Sequence, residues 1–135
     1  VEKIPAPESY YSSPLYRCAA TANITFGGLP LPDRRPFIPT IKELFREAIG
    51  VHTCDRRSSK TAIHKAFPGF VFEKGFKEED PLWEASVRET NSAMDARTKT
   101  VLDDVFGSDD ATFLSISSHS GEIGSILRGR LYSLI

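Results

Sequence analysis

At 135 residues the chain is long enough for one domain with a buried core, and a composition 40% hydrophobic and 26% charged excludes disorder and low complexity. A net charge of −1 supplies no basic field for nucleic acid or an anionic membrane surface, and no apolar run approaches the length of a bilayer span. Two cysteines, Cys18 and Cys54, are too few for a disulfide scaffold, so reduced thiols in a cytoplasmic compartment are expected.

The chain opens on Val1 and a Pro-rich, unpatterned stretch with no signal-peptide pattern, which reads as a piece of a longer chain. Residues 9–13 suit a short strand through Tyr10 and Tyr11. Ser13 is then placed to cap a helix, with Pro14 at its first position. Leu15, Cys18, Ala19, Ala22 and Phe26 recur at helical spacing, and Gly27-Gly28 stops the run. Arg17 lies on the opposite face in the first turn, where the helix dipole disfavours a cation. Such a broken local rule points to a site: Arg17 with free N–H groups could hold a phosphate or carboxylate, although a solvated arginine is the commoner outcome.

Residues 29–36 carry three prolines and two arginines and form a loop. Beyond it, Ile41, Leu44, Phe45 and Ala48 favour a helix, with Thr40 and Glu43 as a capping box and Gly50 as its stop. Phe37-Ile38-Pro39 favours an extended segment instead. Residues 51–59, VHTCDRRSS, crowd His52, Cys54, Asp55, Arg56 and Arg57 into a polar loop. His52-x-Cys54 has no second ligand pair at zinc spacing, so no metal is expected, and Cys54 as a nucleophile lacks a supporting signature. Ser59 caps a short helix, 60–67, on which His64 is structural. The carboxylates Glu78, Glu79 and Asp80 read as a solvated face sooner than as acid–base machinery. A long helix over 86–106 buries Val87, Met94, Val101, Leu102 and Val105, ends at Gly107, and leaves Asp95, Arg97, Lys99 and Asp103 to solvation.

The most informative stretch is FLSISSHSGEIGSIL, residues 113–127. Residues 112–117 suit a buried strand, and Ile123, Ile126, Leu127 and Leu131 trace an amphipathic helix. The hydroxyl-rich turn between them sets His119 at the carboxyl edge of a sheet, where open α/β sheets bind ligands and a helix start offers N–H groups to an anion. The plainer alternative makes His119 a polar turn residue. This order of elements indicates an α/β layered domain.

Four stretches taken together resemble the histidine phosphatase superfamily, the phosphoglycerate-mutase-like proteins. They are Ser13-Pro14-Leu15-x-Arg17-x-x-x-Thr21, the Leu44-Phe45-Arg46-Glu47 run closing on Gly50, the loop 51–59, and Ser118-His119-Ser120-Gly121. The loop and the GFKEEDPLW segment at 75–83 are similar to a fungal branch, and the match runs from about Ser9 to Leu127. The resemblance implies a three-layer α/β/α fold with a mostly parallel sheet, held as a single partial domain over 1–135 whose first strand and C-terminal end are missing. Against the helical spacing, it implies a strand before Leu44.

It further implies a phosphate pocket of two arginines and two histidines and no cofactor. Carried residue by residue, Arg17 is the second pocket arginine, His119 the second histidine, which binds the transferring phosphoryl group, and Glu47 the proton donor to the leaving oxygen. The family nucleophile sits in an Arg-His-Gly motif, and none of His52, His64 and His119 follows an arginine. The expectation is a fragment of a phosphatase or phosphomutase that works on a small phosphate monoester through phosphohistidine and is inactive alone. The rival is a non-catalytic remnant, at most an anion-binding or interaction module. Neither nucleic acid nor membrane is an expected partner, and the substrate, the choice between hydrolase and mutase, and the oligomeric state stay open.

Overall fold

A computed structural model describes residues 4–132, with side chains as far as 129. In chain order the elements are β1 (Ser9–Ser12), α1 (Tyr16–Phe26), β2 (Thr40–Ile41), α2 (Lys60–Ala66), β3 (Val71–Phe72), α3 (Asn91–Ser108), β4 (Leu114–Ser117) and α4 (Ser120–Tyr132), with 3-10 turns at Glu43–Phe45 and Thr53–Asp55. The strands form one all-parallel sheet in the order β3-β2-β1-β4. The expected α/β class with a parallel sheet is therefore present. Among the described residues no helix is long and apolar enough to cross a membrane.

The alternation of β1 sorts its side chains onto two cores. Tyr10 meets Phe26 and Phe37 edge-on, each at 5.0 Å between ring centroids, on the face where Ala19, Ala22, Ile41, Ile63 and Phe70 are buried. Tyr11, in register with Ile116, turns to the opposite face, where Phe45, Val101 and Val105 pack with Leu114 and Ile126. Its hydroxyl donates to Asp109 Oδ2 at 2.6 Å. Fully burying side chains such as Phe45 or Ile63 stabilises the fold by about 1.5–3 kcal/mol each.

Several local expectations give way to tertiary contacts. The helix expected from Ile41 to Gly50 is β2 followed by a single 3-10 turn, as the family resemblance implied. Ile41 lies between Ser12 and Phe72 in the sheet and is wholly buried, so ladder pairing outweighs helical spacing. Helix α1 starts at Tyr16 with no side-chain cap, because the Ser13 hydroxyl accepts from Leu15 N at 3.3 Å, short of the helix. Helix α3 starts five residues later than its pattern predicts, where the Thr90 hydroxyl accepts from Ala93 N. The preceding residues run extended against the loop 48–51, through Val51 N to Glu84 O and Glu89 N to Ile49 O, and Val87 is left 57% exposed. On α4 the buried positions are Glu122 and Ser125, whereas Ile123 and Leu127 are exposed. Polar partners on α3 turn the helix: Glu122 reaches Arg97 and Thr98, and Ser125 reaches Asp95. Leu131 lies outside the described side chains.

The largest departure concerns charge. Asp80, expected at a solvated face, is buried against Arg46, which has no exposed surface, through two bonds of 2.7 Å. Arg46 also donates to Glu43 Oε1 and to the Asp55 carbonyl, and Arg57 closes on the same Glu43 with Nε bonds of 3.0 and 2.9 Å. Two arginines and two carboxylates thus balance in the interior and tie residues 43–57 to the segment 77–80. Arg97, assigned to solvation by its helical position, is likewise buried between Glu89 and Glu122.

Burial works to raise the Asp80 pKa, but hydrogen bonds from Arg46 and from the Leu82 and Arg57 backbone hold it down to about 2. A carboxyl depressed on folding contributes stability above its unfolded pKa and loses it as pH falls through the folded value. Asp80 therefore contributes about 2 kcal/mol at neutral pH that disappears between about pH 4 and pH 2. Asp80→Asn is expected to cost about 3 kcal/mol in urea unfolding at neutral pH and to flatten that acid limb.

Candidate phosphate site

The site grows from the carboxyl ends of two adjacent parallel strands. β1 ends at Ser12 and β4 at Ser117, and Ser13 N donates to Ser117 O at 2.9 Å, so both chains leave the sheet side by side. In the first turn of α1, Arg17 faces the start of α4, where His119 immediately precedes the first helical residue. Arg17 Nε lies 3.1 Å from His119 Nδ1. Arginine Nε–H can only donate, so Nδ1 carries the lone pair and the ring proton is assigned to Nε2. From there it points at the Ser13 hydroxyl, 2.9 Å away. Burial first and the Arg17 charge second push the His119 pKa down to about 4, which makes the imidazole neutral at physiological pH.

Glu47 joins this pair from the loop after the 3-10 turn. Its Oε1 accepts from Ala48 N at 2.9 Å and its Oε2 from Gly121 N at 3.2 Å, which sets the carboxylate at the amino end of α4, where the helix dipole favours it. Gly121 makes that approach available: a Cβ there would lie 2.0 Å from Glu47 Oε1. Arg17, His119 and Glu47, the three residues singled out in the sequence, therefore converge.

Other neighbours carry no local sequence signal. Cys18 Sγ lies 3.1 Å from the Ser118 carbonyl and 3.3 Å from His119 Nε2. Burial pushes its thiol up to about 11, so it packs against the ring as a protonated group and is no nucleophile. Asp55 holds Arg17 Nη2 on Oδ1 and Arg88 Nη1 on Oδ2, each at 2.9 Å, while Arg17 Nη1 donates to Cys54 O at 2.7 Å. Although burial opposes it, those two arginines keep the Asp55 carboxyl below the usual carboxylate range. Asp55 sits in a recognised motif, but Arg88 falls in the first turn of the helix expected over 86–106, where it had no assigned role, and only the folded chain brings it to Asp55. His52 and Cys54 are exposed, and neither belongs to a cluster of three potential metal ligands among the described residues.

Comparison with known proteins finds relatives over most of the chain. A probable phosphoglycerate mutase of Arthroderma benhamiae is 56% identical over 124 residues, covering 92% of this chain and 37% of the relative. The chain belongs to the phosphoglycerate-mutase-like family of the histidine phosphatase superfamily. Phosphomutase-like protein 3 of Candida albicans is 40% identical over 91% of this chain and 38% of its own length. Phosphoglycerate mutase-like protein 1 of Arabidopsis thaliana is 32% identical over 84% of this chain and 48% of its own. The chain thus spans less than half the length of these relatives. No family model and no solved structure matches it.

The site's electrostatics can be read directly by following the His119 ring through a pH titration. The Arg17 charge lowers the His119 pKa and the Glu47 charge raises it. Arg17→Met is therefore expected to move the midpoint above about 4 and Glu47→Gln to move it lower, as seen in the His119 Cε1–H resonance.

Proposed function

We propose that this chain is the part of a phosphoglycerate-mutase-like enzyme that binds a phosphate monoester and protonates its leaving group. The observation that carries this is the meeting of Arg17, His119 and Glu47 at the carboxyl ends of β1 and β4. Arg17 supplies charge-assisted hydrogen bonds to phosphoryl oxygens, and His119 binds the same group from the start of α4. A dianionic phosphoryl group beside His119 offsets the burial and the Arg17 charge that keep the ring neutral, and so favours an imidazolium that donates. Glu47 must first take up a proton from solvent, and in that protonated form it gives the proton to the departing ester oxygen.

The nucleophile in this scheme is a histidine supplied from outside these 135 residues, since none of His52, His64 and His119 follows an arginine as the family motif requires. The ester phosphorus–oxygen bond breaks as the phosphorus–nitrogen bond forms. Water, or a second hydroxyl in a mutase, then takes the phosphoryl group and frees the histidine. Without that nucleophile the isolated chain binds phosphate and does not turn over. Two unpaired cysteines, one of them exposed, fit the reducing cytoplasm as its location.

The proposal is tested on two levels. With the chain alone, inorganic phosphate is expected to shift the His119 and Arg17 resonances in NMR, and Arg17→Met and His119→Ala to abolish the response. With a chain completed by an upstream segment carrying Arg-His-Gly, hydrolysis of a simple phosphate ester and a trapped phosphohistidine are expected. Glu47→Gln should then lower kcat by roughly 10²–10⁴ while phosphate affinity holds. A completed chain without phosphate-ester turnover would overturn the catalytic assignment.

A further inference from the structure

Arg97 is surrounded by one more acceptor than it has hydrogens. Its Nε donates to Glu89 Oε1 and its Nη2 to Glu89 Oε2, each at 2.8 Å, and Nη2 also faces the Glu47 carbonyl at 3.4 Å. Its Nη1 is shared by three oxygens: Leu44 O at 2.5 Å, Arg46 O at 3.1 Å and Glu122 Oε2 at 3.2 Å. A guanidinium carries five N–H hydrogens. They match the two Glu89 oxygens and the three backbone carbonyls, and Glu122 is left competing for Nη1 from the longest distance of the three.

Charge gives the same result. Glu89 already neutralises Arg97 through two bonds, and the side chains of Glu89, Arg97 and Glu122 are 12%, 8% and 0% exposed. The charged groups around Glu122 are Arg97 on α3, Glu89 before that helix, and Glu47, whose carboxylate rests on Gly121 N next along the chain. Asp95, also on α3, is held by Ser125 and Arg128, and His119 three residues earlier is neutral. An ionised Glu122 would therefore bury a negative charge with no cation left to balance it, and a carboxyl so placed takes up a proton instead. The Thr98 hydroxyl, buried with it and 3.0 Å from Oε1, can accept that proton's hydrogen bond. Burial first, with the Glu89 and Glu47 charges adding to it, pushes the Glu122 pKa up to about 7 against the pull of Arg97 and Thr98.

We propose that Glu122 is a positioning residue for Glu47: as the neutral acid it leaves Arg97 Nη1 to the Leu44 and Arg46 carbonyls, which fix the turn that carries Glu47, and on ionising it draws Arg97 away from them. The inference rests on the reading of Glu47 as the proton donor and adds the pH range over which that donor is held in place. A carboxyl whose pKa is raised on folding contributes stability in full below its unfolded value and loses it as pH rises through the folded one. Here the loss runs from about 4.5 to about 7, so the turn is fixed on the acid side of neutrality and loosened on the alkaline side.

The test follows the chain by NMR from about pH 5.5 to about pH 8.5. The Glu122 Cδ and Arg97 Nε–H resonances are expected to move together with one midpoint, about 7. Protection from hydrogen exchange at the Phe45 amide, which closes the 3-10 turn on Lys42 O, is expected to fall roughly tenfold over the same interval. In Glu122→Gln, which keeps the shape and the neutral state, Arg97 and Phe45 are expected to retain their low-pH behaviour throughout. Where that variant fails to fold, the joint titration of the unaltered chain decides. A Glu122 midpoint in the ordinary carboxylate range overturns the proposal. So does a Glu122 titration that leaves Arg97 and Phe45 unmoved, or a Phe45 change that persists in Glu122→Gln. Inorganic phosphate added at the acid end reports separately on the site: a shifted His119 leaves the functional reading standing when the Glu122 proposal fails, and an indifferent His119 overturns both.

Discussion

The bond from Ser13 N to Ser117 O, which extends the parallel pairing of β1 with β4, is the constraint on which the site depends. It brings together distant segments of the chain, so that the Ser13 hydroxyl meets His119 Nε2, 106 positions away in sequence, directly. Parallel strands leave a sheet in the same direction, which is why helices that follow them present their starts to a common crevice. Once β1 and β4 are neighbours, α1 and α4 must begin side by side. Arg17, in the first turn of α1, then has His119 within reach of its Nε. The strands themselves are short, four residues each, and their pairing is secured by aromatic and aliphatic packing on both faces.

A second layer of order comes from buried charge. Arg46, Arg57, Glu43 and Asp80 on one side, and Arg97, Glu89 and Glu122 on the other, flank Glu47 in the fold. Buried ion pairs recover little net stability after desolvation, so their effect is best understood as geometric: each fixes a segment that has almost no regular structure. Residues 43–57 contain only two 3-10 turns, yet they carry Glu47 and Asp55, both of which must be held to a fraction of an ångström. Arg97 also donates to the carbonyls of Arg46 and Glu47, so the α3 network holds the same turn from behind. The Glu122 side chain beneath the start of α4 has no exposed surface, and that burial raises its pKa to about 7 even with Arg97 beside it.

The sequence made some of this legible and concealed the rest for a physical reason. The α1 stripe, the strand-to-helix turn at His119 and the anomalous Arg17 were visible because they depend on residues close in sequence. Asp80 and Arg88 were misread or missed because their side-chain partners Arg46 and Asp55 lie 34 and 33 positions away, and Arg97 because Glu122 lies 25 positions away and Glu89 precedes the helix that carries it. The same cause explains α4, whose buried face follows the polar partners offered by α3 instead of its own isoleucines and leucine. Ile41 shows the complementary failure: its helical spacing was real, but a central place in the sheet outweighed it.

The resting contacts of Arg17 have a consequence for ligand binding. Its three nitrogens are directed at His119 Nδ1, the Cys54 carbonyl and Asp55 Oδ1, each of them an acceptor. A phosphoryl group that takes Arg17's donors competes with those acceptors, and the cost falls unequally. The Cys54 carbonyl is in an exposed stretch and can turn to water, and Asp55 keeps Arg88 on its other oxygen. His119 Nδ1 is buried, and its other neighbour is the Cys18 thiol at 3.6 Å, a weak donor that also faces the Ser118 carbonyl, so losing Arg17 would leave that acceptor poorly paired in the interior. Protonation resolves that mismatch, because an imidazolium donates from Nδ1 to the same anion that displaced the arginine. Under the proposed function Arg17, His119 and the anion are thereby coupled: the arginine disfavours the charged ring, and an anion that draws the arginine away favours it.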